Sequence, residues 1–252
     1  MKAVGIIPVR MASSRFPGKP LAKILGIPMV EHVYRRSLMA KSLDGVYVAT
    51  CDQEIFDAVR AFGGKAVMTA ESHERCTDRV TEAVGNLGLS ADVVVNIQGD
   101  EPMVCPEHID SVIKELEGDP SLVVVNLVVP IEDEAEHRNP NFVKVVMDRE
   151  QFALYFSREP IPSRWKGNPP VSLFRQTGII GFTWDFLRMF STMEPTALEK
   201  VESVDMLRVI EHGYKVKLVA GGTPIYTVDT EGDRDWVEAR MKEDQYLRVY
   251  LT

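Results

Sequence analysis

The chain has 252 residues, 45% of them hydrophobic and 26% charged, with 29 Lys or Arg against 37 Asp or Glu and a formal net charge of -8. That length can bury a full core as a single domain over residues 1–252, and the acidic balance excludes the broad basic footprint of a nucleic-acid binder and the polybasic patch of a membrane-surface protein. No apolar stretch approaches a membrane span, no leader pattern precedes the first apolar run, and Cys51, Cys76 and Cys105 show neither C-x-x-C nor metal spacing, so a cytoplasmic protein is expected.

Residues 3–8 form an apolar run of strand length that empties into a loop built from Ser, Pro and Gly. Arg10, Arg15 and Lys19 hang on that loop, and residues 1–30 hold five Lys or Arg and no acid. A strand, a glycine-containing loop and converging cations make a cradle for phosphate. It is not Walker A, since only Gly18-Lys19-Pro20 is present. The competing reading is a proline-rich surface turn with solvated cations, and thirty acid-free residues weigh against it.

Further along, apolar spacing predicts a helix over 29–40 through Val30, Val33 and Tyr34, a strand over 46–50, and a helix capped by Asp52 and closed by Gly63-Gly64. A short strand at 65–68, a helix from Thr77 or Asp78 to Leu87, and a strand over 92–98 apolar enough to be covered on both faces come next. A helix over 106–116 and a strand over 122–129 continue the alternation, which predicts an α/β chain with a mainly parallel sheet. Ligands of such sheets bind at the carboxyl ends of the strands. Gln98-Gly99-Asp100-Glu101-Pro102 falls at that edge, opposite the cationic loop. Asp100 there has two readings, an oxygen ligand for Mg²⁺ or the cap of the following helix.

From residue 139 the texture changes. Strands over 143–147 and 152–156 read as an antiparallel pair followed by a Pro- and Gly-rich loop over 160–170, a small insertion of about 139–182. A strand over 175–182, one helix over 198–211 with Leu198, Val201, Val204 and Leu207 inward, and a strand over 216–219 follow. Val228-Asp229-Thr230 is expected to end another short strand before a helix over 231–241. Asp229 is either part of that helix's cap or a second carboxylate for Mg²⁺ on a nucleoside triphosphate.

The stretches I-I-P-V-R-M-A-S-S-R-F-P-G-K-P-L, T-D-R, V-V-N-I-Q-G-D-E-P, N-P-N-F-V-K-V-V-M-D, A-L-Y-F-S-R-E-P-I-P, L-E-K-V-E and V-D-T together resemble the 3-deoxy-manno-octulosonate (Kdo) cytidylyltransferases, over nearly the whole chain. The resemblance implies a Rossmann-like nucleotidyltransferase fold of the nucleotide-diphospho-sugar transferase kind, a homodimer held through the insertion, and attack of an acidic 2-keto-3-deoxy sugar on CTP. It implies Arg10, Ser13, Arg15 and Lys19 on the triphosphate, Arg79 and Gln98 near the cytidine, and Asp100 with Asp229 on Mg²⁺. Arg10, Lys19 and Asp100 would carry the chemistry. The acceptor would meet Arg158, Gln176, Ile180, Glu202, Asp205 and Met206. Departures from the family pattern fall at Arg75-Cys76, where the family has Ser-Gly, and at Gln176, Ile180 and Met206, where it has His, Tyr and Gln. These imply an altered acceptor, such as 8-amino-Kdo, with another keto-acid or a phosphonate as the alternative. A non-catalytic nucleotide-binding protein is the reading from outside enzymes.

Overall fold

In the computed structural model, residues 1–12, 15–73, 75–167 and 171–251 are described. The strands are β1 (Ala3–Pro8), β2 (Lys23–Ile24), β3 (Ile27–Pro28), β4 (Gly45–Thr50), β5 (Ala66–Met68), β6 (Val93–Asn96), β7 (Val124–Pro130), β8 (Lys144–Met147), β9 (Ala153–Ser157), β10 (Phe174–Thr183) and β11 (Lys217–Ala220). The helices are α1 (Met29–Ser37), α2 (Gln53–Ala61), α3 (Cys76–Leu87), α4 (Pro106–Gly118), α5 (Glu134–Arg138), α6 (Trp184–Phe190), α7 (Ala197–Glu202), α8 (Asp205–Glu211), α9 (Glu231–Met241) and α10 (Leu247–Tyr250).

One sheet runs in the order β11-β7-β10-β6-β1-β4-β5, and β8 and β9 extend it beside β10. The pairs β6-β1, β1-β4, β4-β5 and β7-β11 are parallel, as the alternating pattern predicts. β10 is antiparallel to both β6 and β7, which it separates. Its pairing with β7 shifts register between Gln176 and Ile180, so a bulge there turns residues 177–179 out of the ladder. β8 and β9 form the expected antiparallel pair.

The strands are apolar on both faces because helices cover both. Ala3 and Ile7 of β1 pack toward residues of α1, α2 and α4, whereas Val4 and Ile6 pack toward α3, α6 and α8. A third cluster joins Phe16 of the cationic loop, Ile24 and Met29 to Val228, Val237 and Met241. That cluster carries the C-terminal segment back to the loop after β1.

Three expectations are corrected. The helix over 198–211 is two helices broken at Ser203, which adopts a left-handed φ of 54°. Leu198 and Val201 are exposed, and the inward positions of α7 and α8 are taken by the buried ion pair Glu199–Arg208 beside Val204 and Leu207. Residues 224–229 form no strand, and Val228 reaches its neighbour by a single backbone bond, N–H to Asp100 O at 2.9 Å. Asp52 stands before α2 without capping it through its side chain, because its Oδ2 accepts from Met11 N at 2.8 Å and so anchors the cationic loop.

Candidate active site

The turn after β6 can press against the end of β1 only because residue 99 is glycine, since a Cβ there would lie 2.1 Å from Val9 Cγ1. This close approach sets Asp100 against the cationic loop. Lys19, just past Gly18 at a φ of +72°, donates from Nζ to Asp100 Oδ2 at 2.8 Å, to Val228 O at 2.9 Å and to Asp229 Oδ1 at 3.4 Å. Arg15 donates to Asp229 Oδ1 and to Asn141 Oδ1, both at 3.0 Å. One ammonium thus joins two carboxylates brought from positions 129 residues apart in the chain, Asp229 being delivered by the third core cluster.

Neither aspartate is a helix cap. The N-cap of α4 is Cys105, and α9 is capped by Thr230, whose side chain and that of Asp233 form a reciprocal capping box. Both carboxylates are therefore left to face Lys19. Two hard oxygen donors converging where a cation already lies suit Mg²⁺, which takes few protein ligands and fills its shell with water and phosphate oxygens. Among the described residues no cluster of three or more His, Cys, Asp or Glu could hold a metal by itself.

From this point a cleft of about 370 Å³ opens along the carboxyl end of β6 and beside residues 175–180 of β10, large enough for a small molecule. Arg15, Arg75, Arg158 and Arg175 line it, together with Gln98, Asp100, Gln176, Ile180, Asp205 and Asp229. Arg158 is braced by donating from Nε to Glu202 O at 2.7 Å and from Nη1 to Pro140 O at 2.9 Å. The insertion is locked at its base by Lys144, fully buried, whose Nζ donates to the carbonyls of Asn139, Phe142 and Arg158. Arg175 stacks on Phe142 at 4.6 Å and pairs with Glu136 at 2.8 Å.

Two of the expected acceptor residues fall outside the cleft lining. Met206 is fully buried in the core on the α3 face of the sheet, because the break at Ser203 turns it inward. Glu202 is a brace, its carboxylate accepting from Ser157 Oγ and from the Arg158 backbone N, each at 2.8 Å. Arg10 is exposed at the end of β1 and lines a separate small cavity with Pro8, Val9, His73, Arg75, Cys76 and Arg79. Arg79 is buried and donates to Thr69 Oγ1, while its Nη2 has no partner among the described residues. Arg75 and Cys76 belong to both cavities, so the two adjoin. Ser13 lies outside the described residues.

The departures around residue 75 form one arrangement. Arg75 donates to Ser203 Oγ at 2.8 Å and lies 3.7 Å from Asp205, and Asp205 accepts from Thr77 Oγ1 at 2.7 Å. Burial pushes the Asp205 carboxyl upward against the opposing pull of Thr77 and Arg75. Burial, helped by Asp205 and Asp100, pushes the neighbouring Cys76 thiol up to about 11.

Sequence reasoning missed Asn96, Glu101 and Gly178. Asn96 Nδ2 donates to Gly178 O at 3.0 Å, Gly178 N donates to Glu101 Oε1 at 3.1 Å, and a Cβ on Gly178 would lie 1.8 Å from Gln98 Cγ. The segment from Asn96 to Glu101 is thus folded around one glycine of the β10 bulge. Burial, with Asp100 beside it, pushes the Glu101 carboxyl up to about 7. The only sequence signal for Asn96 and Glu101 is their place in a strand-end motif read for Gln98 and Asp100, and Gly178 lies in the 175–180 stretch read for Gln176 and Ile180.

A family model described as cytidylyltransferase matches residues 4–217. A 3-deoxy-manno-octulosonate cytidylyltransferase of Geotalea daltonii is 44% identical, covering 96% of this chain and 99% of its own. An 8-amino-3,8-dideoxy-manno-octulosonate cytidylyltransferase of Shewanella pealeana is 43% identical, covering 97% and 100%. Among solved structures, a CMP:2-keto-3-deoxy-manno-octonic acid synthetase complexed with CTP superposes with a TM-score of 0.90 at 38% identity, over 96% of this chain and 99% of that one.

Proposed function

Because the chain belongs to the cytidylyltransferase family, in its 3-deoxy-manno-octulosonate branch, we propose that it transfers CMP from CTP to an acidic 2-keto-3-deoxy sugar, Kdo or its 8-amino relative, and releases pyrophosphate. The observation that carries the reading is Lys19 between Asp100 and Asp229 at the head of a cleft lined with arginines.

In-line displacement at phosphorus needs positioning and charge neutralisation more than a covalent catalyst. Arg15 and Lys19 would neutralise the triphosphate, and Arg10 would meet it from the adjoining cavity. Asp100 and Asp229 would hold Mg²⁺, which when bound offsets charge on the phosphate oxygens and the leaving pyrophosphate. Arg158 would face the acceptor's carboxylate, its guanidinium fixed in advance by the carbonyls of Glu202 and Pro140. Gln176 is held by donating from Nε2 to Asn126 Oδ1 at 2.8 Å, which leaves its carbonyl oxygen as the group offered to the cleft.

With Met206 in the core, two of the three acceptor-side departures remain on the cleft, Gln176 and Ile180. They favour an acceptor with a different substituent at that wall, which supports the 8-amino sugar over Kdo. The protein would work in the cytoplasm, where three free cysteines stay reduced, and as a homodimer covering exposed apolar side chains of the insertion such as Leu154 and Trp165.

The test is pyrophosphate release with CTP and Mg²⁺ against Kdo, 8-amino-Kdo and a panel of keto and phosphonate acids. Turnover with one of the two sugars is expected, with kcat/KM higher for 8-amino-Kdo. Asp100→Ala and Asp229→Ala should each abolish it without unfolding the chain. Turnover of either variant near the wild-type rate at limiting Mg²⁺ would remove the metal assignment.

A further inference from the structure

Asn126 is the one polar residue in the β7 run Val124-Val125-Asn126-Leu127-Val128-Val129, and it is fully buried. A primary amide in such a place costs free energy unless both of its ends are bonded, and here both are. Nδ2 donates to Thr177 O at 3.2 Å and to Ile179 O at 3.1 Å, two carbonyls that the bulge takes out of the ladder with β7, and to Leu127 O at 3.1 Å. Oδ1 accepts from Gln176 Nε2 at 2.8 Å. The side chain thus fills the gap in the ladder and reaches past it to a residue of the cleft.

Only one way round is open to either amide. Three carbonyl oxygens about the inner end of Asn126 admit an NH₂ there and reject an oxygen, so the outer end is Oδ1. An oxygen facing Gln176 admits only NH₂ in its turn, and Oε1 is the end of Gln176 left over. None of the described residues donates to that oxygen, while Gln176 is half-buried and lines the cleft beside Ile180. Backbone carbonyls impose this order, and no titrating group enters it. Asn126 itself lies outside the cleft lining, so it can serve a ligand only through the residues it holds. Building on the proposed activity, we infer that Asn126 is a positioning residue for the acceptor: it keeps Gln176 Nε2 against β7 and Oε1 toward the cleft, so that the sugar meets this wall with a hydroxyl or an ammonium. The sugar's own carboxylate is turned away from that oxygen and toward the arginines. An amide free to turn would take either group and select neither.

Two substitutions of Gln176 test this without altering β7. Gln176→Met keeps the length and removes both ends of the amide, and should raise KM for the sugar about tenfold or more, with KM for CTP within about twofold. Gln176→Glu keeps an oxygen for the sugar but, ionised at about pH 8, has no hydrogen for Asn126 Oδ1, which cannot turn. It should raise KM for 8-amino-Kdo by a similar factor, although its charge would suit the amine. Asn126→Leu should raise KM for the sugar as Gln176→Met does and KM for CTP much less, and the double variant should be no worse than Gln176→Met alone. A residue that merely braced the bulge would raise both KM values together, because Gly178 packs against Gln98, and its loss would add in full to that of Gln176→Met. Such additivity, an unchanged or lower KM for 8-amino-Kdo in Gln176→Glu, or an unchanged KM in Gln176→Met would overturn the inference. Should Asn126→Leu fail to fold, the two Gln176 variants still decide. The tether is also read without turnover: by NMR the side-chain NH₂ hydrogens of Asn126 should exchange with solvent far more slowly than those of exposed amides, and exchange at the ordinary rate would overturn the inference. No turnover of either sugar by the unaltered protein would count against the activity and leave that exchange result standing.

Discussion

Lys19 has two roles that pull on the same three donors. Its ammonium neutralises Asp100 and Asp229, and under the proposed activity it would neutralise phosphate once nucleotide is bound. Lys19→Ala should therefore be compared at saturating Mg²⁺, so that the two carboxylates are not left bare. A charge-assisted hydrogen bond is worth about 1.5 to 3 kcal/mol, so CTP should bind roughly tenfold to a hundredfold more weakly, while CMP, which lacks the outer phosphates, should change by less than about threefold. Equal losses measured by calorimetry would move Lys19 away from the pyrophosphate. Cys76 gives a test by pH. With its thiol pushed up to about 11, the reactive thiolate is about one part in a thousand at pH 8, and it grows tenfold per pH unit until pH nears the pKa. Alkylation of Cys76, followed by peptide mass spectrometry, should keep accelerating beyond pH 9, where a free thiol already levels off. A plateau below pH 9 would show that Cys76 is not buried beside Asp205 and Asp100 as described.

Among the elements, those that end at local signals were legible. β1 and α9 begin and end at the predicted residues, because an apolar run stops at a Pro-rich loop in one case and Thr230 caps an acidic first turn in the other. The segment over 198–211 was not, because its period of apolar residues fits one helix while its buried positions are held by charge. Glu199 and Arg208 are each at most 4% exposed along the side chain, and Arg208 also lies over the Phe190 ring at 4.5 Å. Removing one member of such a pair leaves an unpaired buried charge. Glu199→Ala should cost about 3 to 5 kcal/mol in chemical denaturation. Val201→Ser, at a position 83% exposed, should change stability by less than about 0.5 kcal/mol. A single amphipathic helix would give the opposite order.

Over the whole molecule, the parallel half of the sheet was legible from its alternating strands and helices, and the placing of β10 was not. Nothing in its composition says that it enters between β6 and β7, yet that position supplies Gln176, Gly178 and Ile180 to the cleft. The meeting of the cationic loop with Asp100 was legible because acids are missing from residues 1–30 and because Asp100 follows a strand. Asn96 and Glu101 were not, since their role depends on a backbone segment 77 or more residues away. The site is therefore assembled from the loop after β1, the turn after β6 and the segment before α9, and whatever occupies it stabilises contacts between all three. A ligand bound only by the folded chain at about a hundred times its Kd adds about 2.7 kcal/mol, which for a chain of this size raises the melting temperature by roughly 5 to 10 °C. CTP with Mg²⁺ should produce a shift of that order. Mg²⁺ alone should produce little, because Lys19 already neutralises the carboxylates it would bind. Asp229→Ala should lose most of the shift that CTP with Mg²⁺ gives while its unliganded melting temperature stays close to that of the unaltered protein, Thr230 and Asp233 still capping α9. A full shift in Asp229→Ala, or an equal shift from Mg²⁺ without nucleotide, would show that the segment before α9 does not take part in holding the nucleotide.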